Sequence, residues 1–152
     1  MKCFYAISGA LIFISCLGQA LAQSSKACLS YEPAVVTLTG TVTSKTYPGP
    51  PNFESIRAGD EPETYWLLAL LHPVCVNQGE PGDLINEAKK NIRRIQLVFN
   101  DEEAYKKYRR LLGTRIVATG MLYASFSGHH KTPVLLRVNG LTKATIRRAP
   151  GR

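Results

Sequence analysis

The stretch from Val35 to Tyr47, VVTLTGTVTSKTY, does most to constrain the fold, because Val36, Leu38, Gly40 and Val42 alternate with Thr37, Thr39, Thr41 and Thr43. A period of two built from β-branched residues describes a strand with one buried face, and a helix cannot gather such a pattern onto one side. Gly40, in the middle, predicts a bend or bulge of the kind that lets a strand curl.

Four more segments read as strands. Thr64 to Val76 (TYWLLALLHPVCV) is apolar on both faces, which predicts a central strand with Tyr65 and Trp66 supplying core area and Pro73 ending its regular pairing. Ile92 to Phe99 alternates again, with Ile95, Leu97 and Phe99 inward and Arg94 and Gln96 outward. Arg115 to Ser125, with Gly120 inside it, and Thr132 to Thr145 complete the set. Between Val76 and Ile92 the chain is polar and turn-rich, and Leu84 to Lys90 is expected to hold a short helical turn.

One segment carries the helical period. Asn100 is the expected N-cap of a helix running to Gly113, with Glu103 as capping-box partner and Asp101, Glu102 and Glu103 complementing the dipole. Tyr105, Tyr108, Leu111 and Leu112 form an apolar stripe, and Glu102–Lys106 and Glu103–Lys107 are expected i,i+4 pairs. Gly113 supplies the stop. The order is strand, long loop, strand, strand, helix, strand, strand. A mainly β fold with one helix is expected, in the form of a five-stranded OB-like barrel with its helix between strands 3 and 4. The alternative is an open α+β sheet with the helix on one face.

Residues 1–22 carry one charge, Lys2, an apolar run from Ala6 to Leu17, and a small-residue end at Ala20-Leu21-Ala22. That pattern predicts a secretory signal peptide cleaved before Gln23, with no membrane span in the remainder. A single domain over 23–146 and a basic flexible tail over 147–152 follow. The expected location is periplasmic or secreted. Cys3 and Cys16 leave with the signal, so Cys28 and Cys75 remain as one expected disulfide. The 19 Lys and Arg against 11 Asp and Glu give a formal charge of +8, a raw hint of nucleic acid. Setting aside Lys2 with the signal and Arg147, Arg148 and Arg152 in the tail lowers it to +4, and no nucleic acid is expected as a partner of an exported domain.

Two loops hold the chemistry. The first, 48–63, is rich in Pro and Gly and carries Glu54, Asp60, Glu61 and Glu63; the second, 125–132, carries His129, His130, Lys131 and Thr132. In an OB barrel these two loops lie side by side at the usual ligand face. His129, His130, Lys131, Thr132, Glu61 and Glu63 are therefore the candidate ligand-binding residues. Two readings of the adjacent histidines stay open. His129 and His130 can hold a divalent metal or move protons, or one ring caps a turn by bonding backbone while the other stays in water. Apart from a divalent metal on that reading, no cofactor is expected. His72, beside Pro73, reads as a packed or strand-end residue. There is no Gly-x-Ser-x-Gly, no free cysteine once the disulfide forms, and no phosphate-cradling glycine loop, so an enzyme is not expected.

Tyr65-Trp66, Pro73-Val74-Cys75-Val76, Ile95-Gln96-Leu97, Tyr105 to Leu112 and above all Gly128-His129-His130-Lys131-Thr132-Pro133-Val134 resemble a bacterial exported family known only as domain of unknown function 4431. Related chains usually carry a third histidine where this one has Lys131. The resemblance implies export and a small β-rich domain, and it implies no reaction. The expected function is a small exported binding module, its envelope ligand or protein partner unspecified, acting through loops 48–63 and 125–132. An inhibitor or immunity-type protein for a cell-envelope enzyme is the alternative.

Overall fold

The structure, a computed structural model, describes residues 27–145. The expected signal peptide and the basic tail lie outside the described residues. The elements are β1 (Val35–Pro48), β2 (Pro62–Val76), β3 (Lys89–Val98), α1 (Glu102–Tyr108), β4 (Arg115–Ala124) and β5 (Val134–Lys143), with 3-10 turns at Ile56–Ala58 and Arg109–Leu111. Among the described residues the protein is mainly β, with one α-helix between β3 and β4.

Each strand pairs with two others. β1 is antiparallel to β2 along its C-terminal part and to β4 along its N-terminal part, β2 is antiparallel to β3, β3 runs parallel to β5, and β5 is antiparallel to β4. The pairings return on themselves in the order β1-β2-β3-β5-β4, a closed barrel. The inward positions of β1 are Val36, Leu38 and Val42, as the alternation predicts. They meet Leu68, Ile95, Leu97, Ile116, Leu122, Val134 and Leu136 in one core, in which each fully buried aliphatic side chain is worth about 1.5–3 kcal/mol. Gly40 and Gly120 sit where a neighbouring strand comes close: a Cβ at Gly40 would collide with the Ala69 carbonyl oxygen, and one at Gly120 with that of Arg137.

The helical stripe packs as expected, Tyr105, Tyr108, Leu111 and Leu112 lying against the core. Trp66 meets Phe99 and Tyr105 edge-on, at ring-centroid distances of 5.4 and 5.5 Å. The helix itself is shorter than the stripe suggests, because after Tyr108 it tightens into the 3-10 turn Arg109–Leu111. Asp101, not Asn100, is the cap: its carboxylate accepts the Ala104 N–H at 2.8 Å. The expected i,i+4 pairs do not form, although all four residues lie within the helix; Lys106 instead reaches Glu103, three residues back, at 2.7 Å.

Other expectations also give way. No helical turn forms at 84–90, because the Asp83 carboxylate accepts the Ile85 and Asn86 N–H groups at 2.9 and 3.0 Å, an Asx turn that competes with helix, and β3 has begun by Lys89. Pairing does not end at Pro73 but shifts register between Ala69 and Val74 and resumes at Val74 opposite Ile92. Leu71, His72 and Pro73 are exposed, so the C-terminal part of β2 is not covered on both faces. β5 begins at Val134 rather than Thr132. Gln96, expected outward, is buried. The expected disulfide joins Cys28 to Cys75, with Cα atoms 4.7 Å apart, and ties the N-terminal arm beside the end of β2. Among the described residues no helix is long and apolar enough to cross a membrane.

Candidate functional site

The β1–β2 connection is held from within. Gly49 and Glu61 close its neck, Gly49 N–H donating to Glu61 C=O at 2.7 Å and Glu61 N–H to Pro50 C=O at 2.8 Å. Asp60 fills its centre: the buried carboxylate accepts the N–H groups of Asn52, Glu54 and Ser55 at 2.9, 2.7 and 2.7 Å, and these bonds hold its carboxyl below the usual range. Asp60 is thus the internal brace of the loop. Glu61 is exposed and enters through its backbone, and Glu54 is exposed.

Gln96 fixes the β4–β5 connection. Its side-chain amide donates to the His129 carbonyl at 3.1 Å and its amide oxygen accepts the Lys131 N–H at 2.7 Å. Its own backbone N–H donates to the Thr132 hydroxyl at 2.9 Å, which donates on to the Val134 carbonyl at 2.7 Å. Thr132 is therefore buried and internally satisfied, not offered to a ligand. Alternation along β3 gave no sign of this, because the face opposite the barrel interior is covered there by the loop itself. Gln96→Leu preserves the shape and strands the Lys131 N–H and the His129 carbonyl, so a loss of about 2 kcal/mol is expected in urea unfolding, with faster amide exchange at Lys131. Unchanged exchange at Lys131 would show that Gln96 does not hold the loop.

Between the two loops His129, Glu63 and Lys131 come together. The His129 Nδ1 lies 3.1 Å from the Glu63 carboxylate and 3.1 Å from the Tyr65 hydroxyl, and that hydroxyl also donates to Glu63. Tyr65, ahead of His129 and Lys131, holds the Glu63 carboxyl below its ordinary value against the opposing pull of burial, while burial and then the hydrogen bond to Glu63 push the Tyr65 phenol up. An ionised carboxylate only accepts, so its bond to the imidazole puts the proton on Nδ1. Because the Glu63 pKa is lowered, its contribution is complete above the ordinary carboxylate value and is lost as pH falls through the lowered one.

The Lys131 ammonium donates to the carbonyls of Gly128 and Pro48 at 2.6 and 3.3 Å, one from each loop. It also lies 5.0 Å from the ring centroid of Phe53, 5.5 Å from that of Tyr65 and 5.7 Å from that of Tyr47, within cation–π reach of all three. Phe53 in turn meets the His129 ring edge-on at 5.1 Å. Tyr47, Phe53 and Tyr65 were not among the candidates, Tyr65 because the strand pattern placed it in the core.

The two histidines part company. His130 accepts the Phe126 N–H on its own Nδ1 at 3.0 Å and packs edge-on against Phe126 and Tyr123, and burial, ahead of the neighbouring His129, pulls its pKa down. One ring capping a turn is what this neighbourhood contains, and each imidazole has a different partner for its Nδ1. Among the described residues no group of three or more His, Cys, Asp and Glu side chains is placed to hold a metal ion. The available chemistry is that of His129, half exposed, with its Nε2 left over once Nδ1 is bound by Glu63.

Residues 94–143, running from β3 through β5, match the family described as "Domain of unknown function (DUF4431)". The match includes Ile95-Gln96-Leu97, Tyr105 to Leu112 and Gly128 to Val134, and it bears out the resemblance over that part of the chain; Tyr65-Trp66 and Pro73 to Val76 lie before it. A comparison with curated proteins finds no match.

Proposed function

We propose that the protein is an exported, OB-like binding module that takes a small ligand at the junction of loops 48–63 and 125–132. The observation that carries this reading is the concentration there of Glu63, Tyr65, His129 and Lys131, with three aromatic rings, on a strand order and helix position that match an OB barrel. Export is supported by the Ala20-Leu21-Ala22 end of the apolar leader and by the disulfide. Titration with a panel of small anions, cations and aromatic fragments, followed by amide chemical shifts, is expected to give saturable changes at Tyr47, Phe53, Tyr65 and His129, lost in His129→Ala. Changes confined to other parts of the barrel, or none, would refute the site. Zinc chloride belongs in the panel: micromolar heat of binding abolished by His129→Ala and by His130→Ala would replace the small-ligand reading with a metal one.

A second reading, an inhibitor or immunity-type protein for a cell-envelope enzyme, is favoured by Leu84, Ile85 and Phe126, which are 90%, 56% and 67% exposed and line one shallow depression with Lys89 and Pro133. A contiguous patch of exposed large apolar side chains marks an interaction surface. Stoichiometric capture of one envelope protein by the wild type, lost in a Leu84→Ser/Phe126→Ser variant, is the expected result on this reading. Equal capture by the variant would sink it.

A further inference from the structure

β1 and β2 diverge like the sides of a wedge. Their pairing ends at Gly40 opposite Leu70, whereas β1 continues along β4 as far as Val35 opposite Met121. Among the described residues, 35–39 therefore have a full strand neighbour on one side only. Which backbone groups face the gap follows from Val42, whose N–H donates to Thr114 C=O at 3.1 Å and whose C=O accepts from Gly113 N–H at 2.8 Å. Val42 thus faces the β4 side. Backbone groups alternate along a strand, so Val36, Leu38 and Gly40 face that side too; the Gly40–Leu70 pair sets the Thr39 C=O against Leu71 N–H, and the N–H and C=O of Thr37 and the N–H of Thr39 turn toward the gap. On the other side of the wedge β2 has lost β1, and its register with β3 is interrupted between Ala69 and Val74.

The same edge of β2 already holds an extended segment farther along. Leu29 N–H donates to Cys75 C=O and Asn77 N–H to Leu29 C=O, both at 2.8 Å, in a parallel bridge that the disulfide secures. Between that bridge and the apex at Gly40 lies a cleft of about 350 Å³. Its lining includes Leu29, Leu70, Leu71 and Val74, with Leu71 51% exposed, and its ionisable side chains are His72 and Arg115, with no carboxylate among the residues that line it. None of those residues belongs to loops 48–63 or 125–132.

We infer that this cleft is a strand-addition site, which takes an extended peptide segment of another polypeptide ending in a free carboxylate. The N–H and C=O of Thr37 and the N–H of Thr39 select an extended backbone, the aliphatic lining takes alternate apolar side chains, and Arg115 takes the carboxylate. Residue chemistry favours such a partner over the two occupants nearest to hand. The residues just before Ala27 are Gln23-Ser24-Ser25-Lys26, polar and cationic, which suits neither the aliphatic lining nor Arg115. A second copy docked edge to edge would set Arg115 and His72 against their own kind.

The test uses an N-acetylated hexapeptide of alternating threonine and valine with a free C-terminal carboxylate, beside its C-terminal amide and a version methylated on alternate peptide nitrogens. Saturable amide shifts at Thr37, Thr39 and Leu71 are expected with the free acid, about tenfold weaker binding with the amide, and none with the N-methylated peptide. Arg115→Gln is expected to weaken the free acid about tenfold and leave the amide's affinity as it was. Equal binding of the N-methylated peptide would overturn strand addition, and equal weakening of acid and amide by Arg115→Gln would overturn carboxylate recognition. No shift up to millimolar peptide overturns the site. A concentration-dependent dimer in sedimentation that the peptide cannot dissociate, or binding seen only after residues before Ala27 are removed, would assign the cleft to another occupant and overturn the proposal as well.

Discussion

Gly120→Ala is expected to cost about 3 kcal/mol of folding stability, near the upper end for adding one methyl to a packed interior. The new Cβ would collide with the Arg137 carbonyl oxygen and press on the Leu136 side chain at 3.1 Å, and the carbonyl has nowhere to retreat because it belongs to β5, paired with β4. The register of that pair shifts between Thr119 and Gly120, so the substitution strikes where β4 bends to close the barrel. Gly140→Ala is the control: the nearest atom to its Cβ is the Thr119 hydroxyl at 3.6 Å, ordinary contact, and a change below about 1 kcal/mol is expected. Urea unfolding reads both. At an m-value of about 1–3 kcal/mol/M the Gly120→Ala midpoint falls by roughly 1–3 M. Equal midpoints for the two variants would mean that close approach at Gly120 does not govern closure.

Cys28→Ser/Cys75→Ser is expected to cost about 3–4 kcal/mol. The bridge spans a sequence separation of 47, and on a chain-entropy account a loop of that size is worth roughly this much to the folded state. The loss also frees the arm, whose Tyr31 is buried in the core and donates its hydroxyl to Glu87 C=O at 2.9 Å. Reductant should destabilise the wild type by the same amount and leave the double variant unmoved. Thiol titration of denatured, unreduced protein lacking residues 1–22 is expected to find no free thiol; two thiols would mean the pair is open. A reductant effect equal in both proteins would place the stabilisation elsewhere.

The two glycines show how far pattern alone carries. Gly40 and Gly120 announced curvature because a residue without a side chain in the middle of an apolar alternation has few other uses, and both stand at close strand approaches. Cys28 and Cys75 were legible because few cysteines remained to choose from. The apolar stripe of Tyr105, Tyr108, Leu111 and Leu112 located the helix, though its true cap at Asp101 and its early tightening after Tyr108 turned on local hydrogen bonds that neighbouring acids compete for. At the site, Glu63 and His129 were both candidates, yet nothing local said that they would meet while Glu61 and His130 turned elsewhere.

Strand positions and the helix face are properties of short windows, in which period, chirality and residue type act over neighbouring residues, and the sequence by itself determined them, as the cysteine count did the disulfide. The meeting of Glu63 with His129 and Tyr65, the burial of Gln96 under the β4–β5 loop, the cation held among three rings and the open wedge between β1 and β2 were decided only by the tertiary structure. They depend on strand register and on the closing of the sheet, which set residues more than sixty positions apart side by side, as Tyr65 and His129 are at a separation of 64. A shift of one residue in either strand would turn the same side chains to the opposite face, and no local pattern records that choice.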